Sequence, residues 1–179
     1  MIKAEQCCLV LIDVQEKLAR VIDRRERVIS NCAVLVQIAK ALGIPILWCQ
    51  QNPAGLGETL AEVRAYLSGL EPVDKFSFSC CGQREFLDKL ESLKADTAVL
   101  CGIETHVCVF QTAADLLKRG LVVHIIADAV SSRTAENHNI GLERMAAEGA
   151  TISSTEMFLF ELLGSAKHEK FKELARLIK

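Results

Sequence analysis

Apolar residues fall along this chain in alternating short unbroken runs and longer stretches of helical spacing. The run Gln6–Ile12 is continuously apolar after its first residue, as in a strand buried on both faces. Val28, Cys32, Leu35, Ala39 and Leu42 then recur at steps of four and three, which is one helix face. Asp23-Arg-Arg-Glu26 reads as the capping box of that helix, Gly43 as its C-cap, and Pro45 forbids its continuation. Ile44–Cys49 reads as a second strand, Gln51–Gly57 as a loop, Thr59–Leu67 as a short helix and Pro72–Phe76 as a weak strand. Gly82–Lys94 is helical, Thr97–Cys101 a strand, Thr105–Arg119 helical, Leu121–Ala127 a strand and Thr134–Glu148 helical. Ala150–Ser153 reads as a short strand. Ser153-Ser-Thr-Glu156 reads as the capping box of a helix reaching Leu163, and a last amphipathic helix carries Phe171, Leu174 and Ile178.

Strand and helix alternate throughout, with no linker and no internal repeat. That pattern predicts one α/β domain with a parallel sheet covered by helices on both faces. Ligands of such sheets bind beyond the carboxyl ends of the strands. The informative residues are therefore Asp13, Gln50 to Asn52, Asp74 and Lys75, Gly102 to Cys108, and Asp128 to Arg133.

Composition narrows the class. Half of the 179 residues are hydrophobic and a quarter charged, with 10 Gly and 3 Pro, which excludes disordered, collagenous and low-complexity chains. A formal net charge of −2 gives no global pull toward nucleic acid or an anionic membrane, so neither is expected as a partner. There is no apolar run of spanning length and no signal-peptide core, so a cytoplasmic protein is expected. None of the eight cysteines forms a C-x-x-C pair. In a reducing compartment most would behave as small buried hydrophobes.

Asp13 directly follows Leu-Val-Leu-Ile and must be solvated, paired or bonded to amides. Read alone, it serves equally as a helix cap, and Lys75 reads as an exposed lysine. Cys108 falls in the first turn of a helix, where amide donors and the dipole favour a thiolate, although a core thiol facing the sheet is the plain alternative. Together the three supply a nucleophile, a base and a cation, with backbone amides for an oxyanion. His106 reads as a rim residue, His124 as packed, and His138 and His168 as surface groups. Trp48, Phe76 and Phe78 follow strands and read either as pocket walls or as ordinary core.

Three segments carry a family resemblance: Leu9-Val-Leu-Ile-Asp13-Val-Gln15, Asp74-Lys75-Phe76 and Leu100-Cys-Gly-Ile-Glu-Thr-His-Val-Cys108-Val. With Asp128-Ala-Val-Ser-Ser-Arg133 and Gly149-Ala-Thr, they resemble the isochorismatase-like cysteine hydrolases over nearly the whole chain. The Gln51–Gly57 loop and the closing Phe171-Lys-Glu-Leu look like the isochorismatase domain-containing branch. The resemblance implies a three-layer α/β/α sandwich with a six-stranded parallel sheet, and a triad of Asp13, Lys75 and Cys108. It implies an oxyanion hole from the amides of Glu104 and Cys108, and a cis peptide before Glu104. Hydrolysis of an amide-type or related bond of a small molecule through a thioester is expected, in a homo-oligomer. Gln51, Trp48, Phe76, Thr105 and His106 are the expected substrate contacts. Nicotinamidases of the superfamily carry Asp-x-His and a further His after the second strand, where this chain has Trp48-Cys-Gln-Gln-Asn-Pro-Ala-Gly-Leu-Gly57. No metal and no other cofactor is therefore expected. The members that cleave a vinyl ether lack the cysteine found here at position 108. The competing reading is an idle oligomeric scaffold, or a thiol redox sensor built on Cys108.

Overall fold

The computed structural model describes residues 2–178. Its strands are β1 (Cys7–Ile12), β2 (Ile46–Gln51), β3 (Val73–Lys75), β4 (Thr97–Ile103), β5 (Val122–Ser131) and β6 (Thr151–Ser153). All pair in parallel, in the order β3-β2-β1-β4-β5-β6. The helices are α1 (Glu16–Ala19), α2 (Arg25–Ala41), α3 (Pro53–Leu56), α4 (Ala61–Arg64), α5 (Arg84–Leu93), α6 (Phe110–Lys118), α7 (Ala135–Ala147), α8 (Thr155–Leu163) and α9 (Phe171–Leu174).

The continuous apolar runs have a structural cause. Every residue of β1 and β4 is buried, because each strand has helices on both sides. Alternate residues feed two cores. Leu9, Leu11, Val99 and Cys101 pack under α2 and α8 with Leu35, Phe158 and Leu159. Cys8, Val10, Ile12, Ala98 and Leu100 pack under α5, α6 and α7 with Phe86, Leu116 and Met145. This is a three-layer α/β/α sandwich. The chain winds outward from β1 to β3, then returns past β1 to start β4, so the topological switch point lies between β1 and β4.

At Gly102, β4 pairs with Ile12 of β1. Gly102 has φ +119, and a Cβ there would overlap the Ile12 carbonyl oxygen. Both strands are fixed in the sheet, so no rotamer relieves the overlap. Gly102→Ala is expected to lower unfolding free energy by at least about 3 kcal/mol. Urea titration of the two proteins checks this, and a change below 1 kcal/mol would contradict the packing described.

Several local expectations are corrected. Asp23 does not cap α2. Its backbone is held at the end of β5 by Asp23 N–H to Ser132 O (2.8 Å) and Ser131 Oγ to Asp23 O (2.7 Å), and Arg24, in the left-handed region, takes the cap position without a side-chain bond. The α8 cap is Ser154, which accepts from Met157 N–H, whereas Ser153 ends β6. The Thr59–Leu67 helix shrinks to α4 because Thr59 is tied to Gln50 and Trp48. The last helix shortens to α9, followed by a 3₁₀ turn over Ala175–Leu177. β5 does not stop at Ala127. It runs through Asp128 because Asn31 Nδ2 and Cys32 Sγ donate to the carbonyls of Asp128 and Ala129 where the strand bulges away from β4. Asp128 itself accepts from the backbone and side chain of Thr155, a structural role away from the strand tips. Among the described residues no helix is long and apolar enough to cross a membrane.

Candidate active site

Asp13 is the first residue beyond β1 and adopts φ 53, a conformation that Asp tolerates better than most side chains. Its N–H donates to Cys49 O (3.1 Å), which fixes the turn against β2. Lys75 ends β3, and Cys108 lies in the turn after β4. The fold brings these three tips together at the switch point.

Lys75 Nζ lies 2.7 Å from Asp13 Oδ2, with both side chains fully buried. The ammonium also donates to Gln51 Oε1 (2.9 Å), Phe78 O (3.0 Å) and Ser77 O (3.3 Å). Its donor capacity is thereby used within the protein. Burial is the largest single influence and disfavours the charge, but Asp13 together with the neighbouring Cys80 and Cys108 outweighs it and holds the Lys75 amine above its ordinary value, so it stays protonated. Lys75 is thus a fixed cation, against its plain reading as an exposed lysine.

For Asp13, burial pushes the carboxyl above its ordinary value, more than Lys75 and the Cys108 thiol pull it down. A raised carboxylate is a stronger proton acceptor than a solvated one. Oδ2 is engaged by Lys75. Oδ1 is buried and, among the described residues, has no partner in hydrogen-bond geometry, while the Cys108 thiol lies within interaction range of the same carboxyl.

Cys108 departs from the thiolate expected at a helix start. Burial first, and then the Asp13 charge, push its thiol far above the ordinary range, and Lys75 only partly opposes them. Cys108 is 6% exposed, and its raised thiol favours the protonated form. Its alkylation by iodoacetamide is therefore expected to keep rising about tenfold per pH unit from pH 6 to 9, since the thiolate fraction grows by that factor below the pKa. Peptide mass spectrometry of labelled protein measures this, and a plateau near pH 7 would show a preformed thiolate instead. Other cysteines are buried too, with Cys7 and Cys81 pushed up to about 11 and Cys8 to about 12, in each case first by burial.

The segment before Cys108 is not a regular helix start. The Ile103–Glu104 peptide is cis, and Thr105–Val109 forms a π turn that leads into α6. The Glu104 carbonyl accepts from Val107 (3.1 Å) and Val109 (3.2 Å), passing over the Cys108 amide.

The other expected contacts have specific positions. Gln51 positions the lysine: Oε1 accepts from Lys75, and Nε2 donates to Phe76 O (2.9 Å). Gln15, to which the sequence assigned no role, clamps Gln51 by accepting from its N–H (2.7 Å) and donating to its carbonyl (2.9 Å). Trp48 belongs to the core under α2, and its Nε1 donates to Thr59 Oγ1 (2.8 Å), so it is a core residue rather than a pocket wall. Phe76 and Phe78 are 78% and 54% exposed on the strap whose carbonyls bind Lys75, so neither is an ordinary core residue. Thr105 Oγ1 meets His138 Nδ1 (3.0 Å) and His106 Nδ1 meets Ser132 Oγ (2.9 Å), so the Thr105 hydroxyl and the His106 Nδ1 are engaged by neighbouring elements. His138 is half-buried rather than on the surface. Among the described residues no group of three or more His, Cys, Asp or Glu side chains is arranged to hold a metal.

The isochorismatase domain model matches residues 7–157, most of the chain. The chain belongs to the isochorismatase family. Within that family, it is 39% identical over 172 residues to isochorismatase domain-containing protein 2 of Bos taurus, covering 96% of this chain and 82% of that protein. Among solved structures it is similar to the MAR1 ribonuclease of Caenorhabditis elegans, with TM-score 0.93, 38% identity, and coverage of 99% of this chain and 91% of that one. The YcaC gene product of Escherichia coli, described as an octameric hydrolase of unknown specificity, shares the isochorismatase fold at TM-score 0.93 and 18% identity, covering 99% of this chain and 88% of that one.

Proposed function

We propose that the chain is a cysteine hydrolase that cleaves an amide-type C–N or related bond of a small molecule through a thioester on Cys108. The observation that carries this reading is the buried cluster at the switch point: a neutral thiol beside a carboxylate with one free oxygen, whose other oxygen is fixed by a lysine.

Asp13 takes the thiol proton as Cys108 Sγ attacks the carbonyl carbon. The oxyanion is received by the amides of Glu104 and Cys108. Lys75 holds the carboxylate in place and balances its charge rather than giving up a proton, since its donors are engaged by Asp13, Gln51, Ser77 and Phe78. Asp13 then passes its proton to the leaving group. It next removes one from the water that cleaves the thioester. With Lys75 committed inside the protein, no other lysine or arginine among the described residues is buried to meet a substrate anion, which supports a neutral substrate. The thiol-sensor alternative is disfavoured by the raised Cys108 thiol, because peroxide attacks the thiolate.

The test is turnover of a panel of small neutral amides, nitriles and esters by the wild type and by Cys108→Ser. The reading requires product from at least one class, lost in the variant. An RNA oligonucleotide joins the panel because a relative bears the name ribonuclease, and cleavage of it that depends on Cys108 would overturn the substrate class. The reading includes a homo-oligomer, supported by exposed Val21, Phe76, Phe78 and Met157 and by the octameric description of YcaC. Light scattering at micromolar concentration should give a mass at least twice the 19.7 kDa chain, and a monomer would contradict it.

A further inference from the structure

A π turn is uncommon and tends to persist only where its surroundings hold it. The turn after β4 is wide over two successive bonds, Val109 N–H to Glu104 O and Phe110 N–H to Thr105 O. Its first two residues are each tied by a side chain to a different element. Thr105, fully buried, reaches His138 on α7, and His106 reaches Ser132, fully buried just past β5. Ser132 is itself fixed, because its carbonyl accepts from Asp23 N–H (2.8 Å). Gly141 lets α7 lie directly on the turn: a Cβ there would meet the His106 backbone and Thr105 Cγ2 at 3.1 Å.

We propose that His138 and Ser132 are positioning residues: through Thr105 and His106 they hold the π turn that brings the Glu104 and Cys108 amides to one point beside the Cys108 thiol. The proposal rests on the acyl-transfer reading of the site, and its test separates the two. Alkylation by iodoacetamide forms no oxyanion, so its rate reports the thiol alone. Acylation by an activated ester such as p-nitrophenyl acetate develops an oxyanion and needs the amides aligned. A misplacement of the order of 1 Å costs about 10²-fold in such a step.

The variants are Thr105→Val, which removes the hydroxyl at nearly constant volume, Ser132→Ala, and their combination. The acylation burst of the double variant is expected to slow about 10²-fold while alkylation of Cys108 stays within about threefold of wild type. His138→Asn, whose amide can occupy the Nδ1 position, is expected to lose less acylation than His138→Ala. If the two rates fall together or neither falls, or if His138→Asn is as slow as His138→Ala, the positioning role is wrong. The alkylation rate in the same sample also reports whether the site is still folded. A wild type that alkylates at Cys108 but never acylates there would overturn the acyl-transfer reading itself, and this role with it.

Discussion

Replacing Lys75 by Met is expected to lower the free energy of unfolding by about 3–5 kcal/mol, among the largest effects of any single substitution in the chain. The side chain is fully buried, so its removal leaves Asp13 without its cation inside the protein. Asp13 then either stays charged and unpaired or takes up a proton, and both cost stability. It also strands the carbonyls of Ser77 and Phe78 and the amide oxygen of Gln51. The double variant Asp13→Asn/Lys75→Met removes the orphaned charge and should recover part of the loss. Urea unfolding of the two single variants and the double variant gives the coupling. A double variant no more stable than Lys75→Met alone would mean that Lys75 acts as a carbonyl anchor and that its pairing with Asp13 contributes little.

Replacing Asp13 by Asn is expected to reduce turnover by about 10³-fold, within the usual range for loss of a general base. The same substitution should speed alkylation of Cys108 at pH 7. After burial, the charge of Asp13 is what raises the Cys108 thiol most, whereas Lys75 lowers it. Without the carboxylate, the lysine's remaining counter-charge is the thiolate, so the pKa of Cys108 falls and the pH dependence of alkylation moves to lower pH. Turnover and alkylation therefore move in opposite directions. Turnover that survives Asp13→Asn, or a pH dependence of alkylation that does not move while the variant stays folded by circular dichroism, would contradict the role of Asp13 as base.

Much of the architecture was legible because parallel strands buried on two faces must be continuously apolar, as β1 and β4 are. Helix caps were less so. Asp23 has the composition of a cap, yet the end of β5 holds its backbone elsewhere. Asp128 has the look of a strand end, but side chains from α2 and the start of α8 satisfy the bulge and let β5 continue. Cys108 and Asp13 stood out by position at strand tips. Lys75 shared that position, but its burial was not legible: Val-Asp-Lys is an ordinary surface pattern, and the burial depends on a carboxylate 62 residues earlier in the chain. Its place beyond a weak strand made it a candidate, and the family resemblance assigned it to the triad. Gln15 offered just one signal, its place two residues after Asp13. The charge state of Cys108 was misread because helix position was visible in the sequence while burial and the neighbouring carboxylate were not.

The central claim is that Cys108 carries the acyl group during turnover. Acid quench within the first turnovers of a substrate found in the panel, followed by peptide mass spectrometry, tests it most directly. The account predicts a mass increase equal to the acyl fragment on the peptide containing Cys108, growing in before steady state and absent from Cys108→Ser. Full turnover with Cys108 unmodified at every time point, or turnover that survives Cys108→Ser, would contradict it.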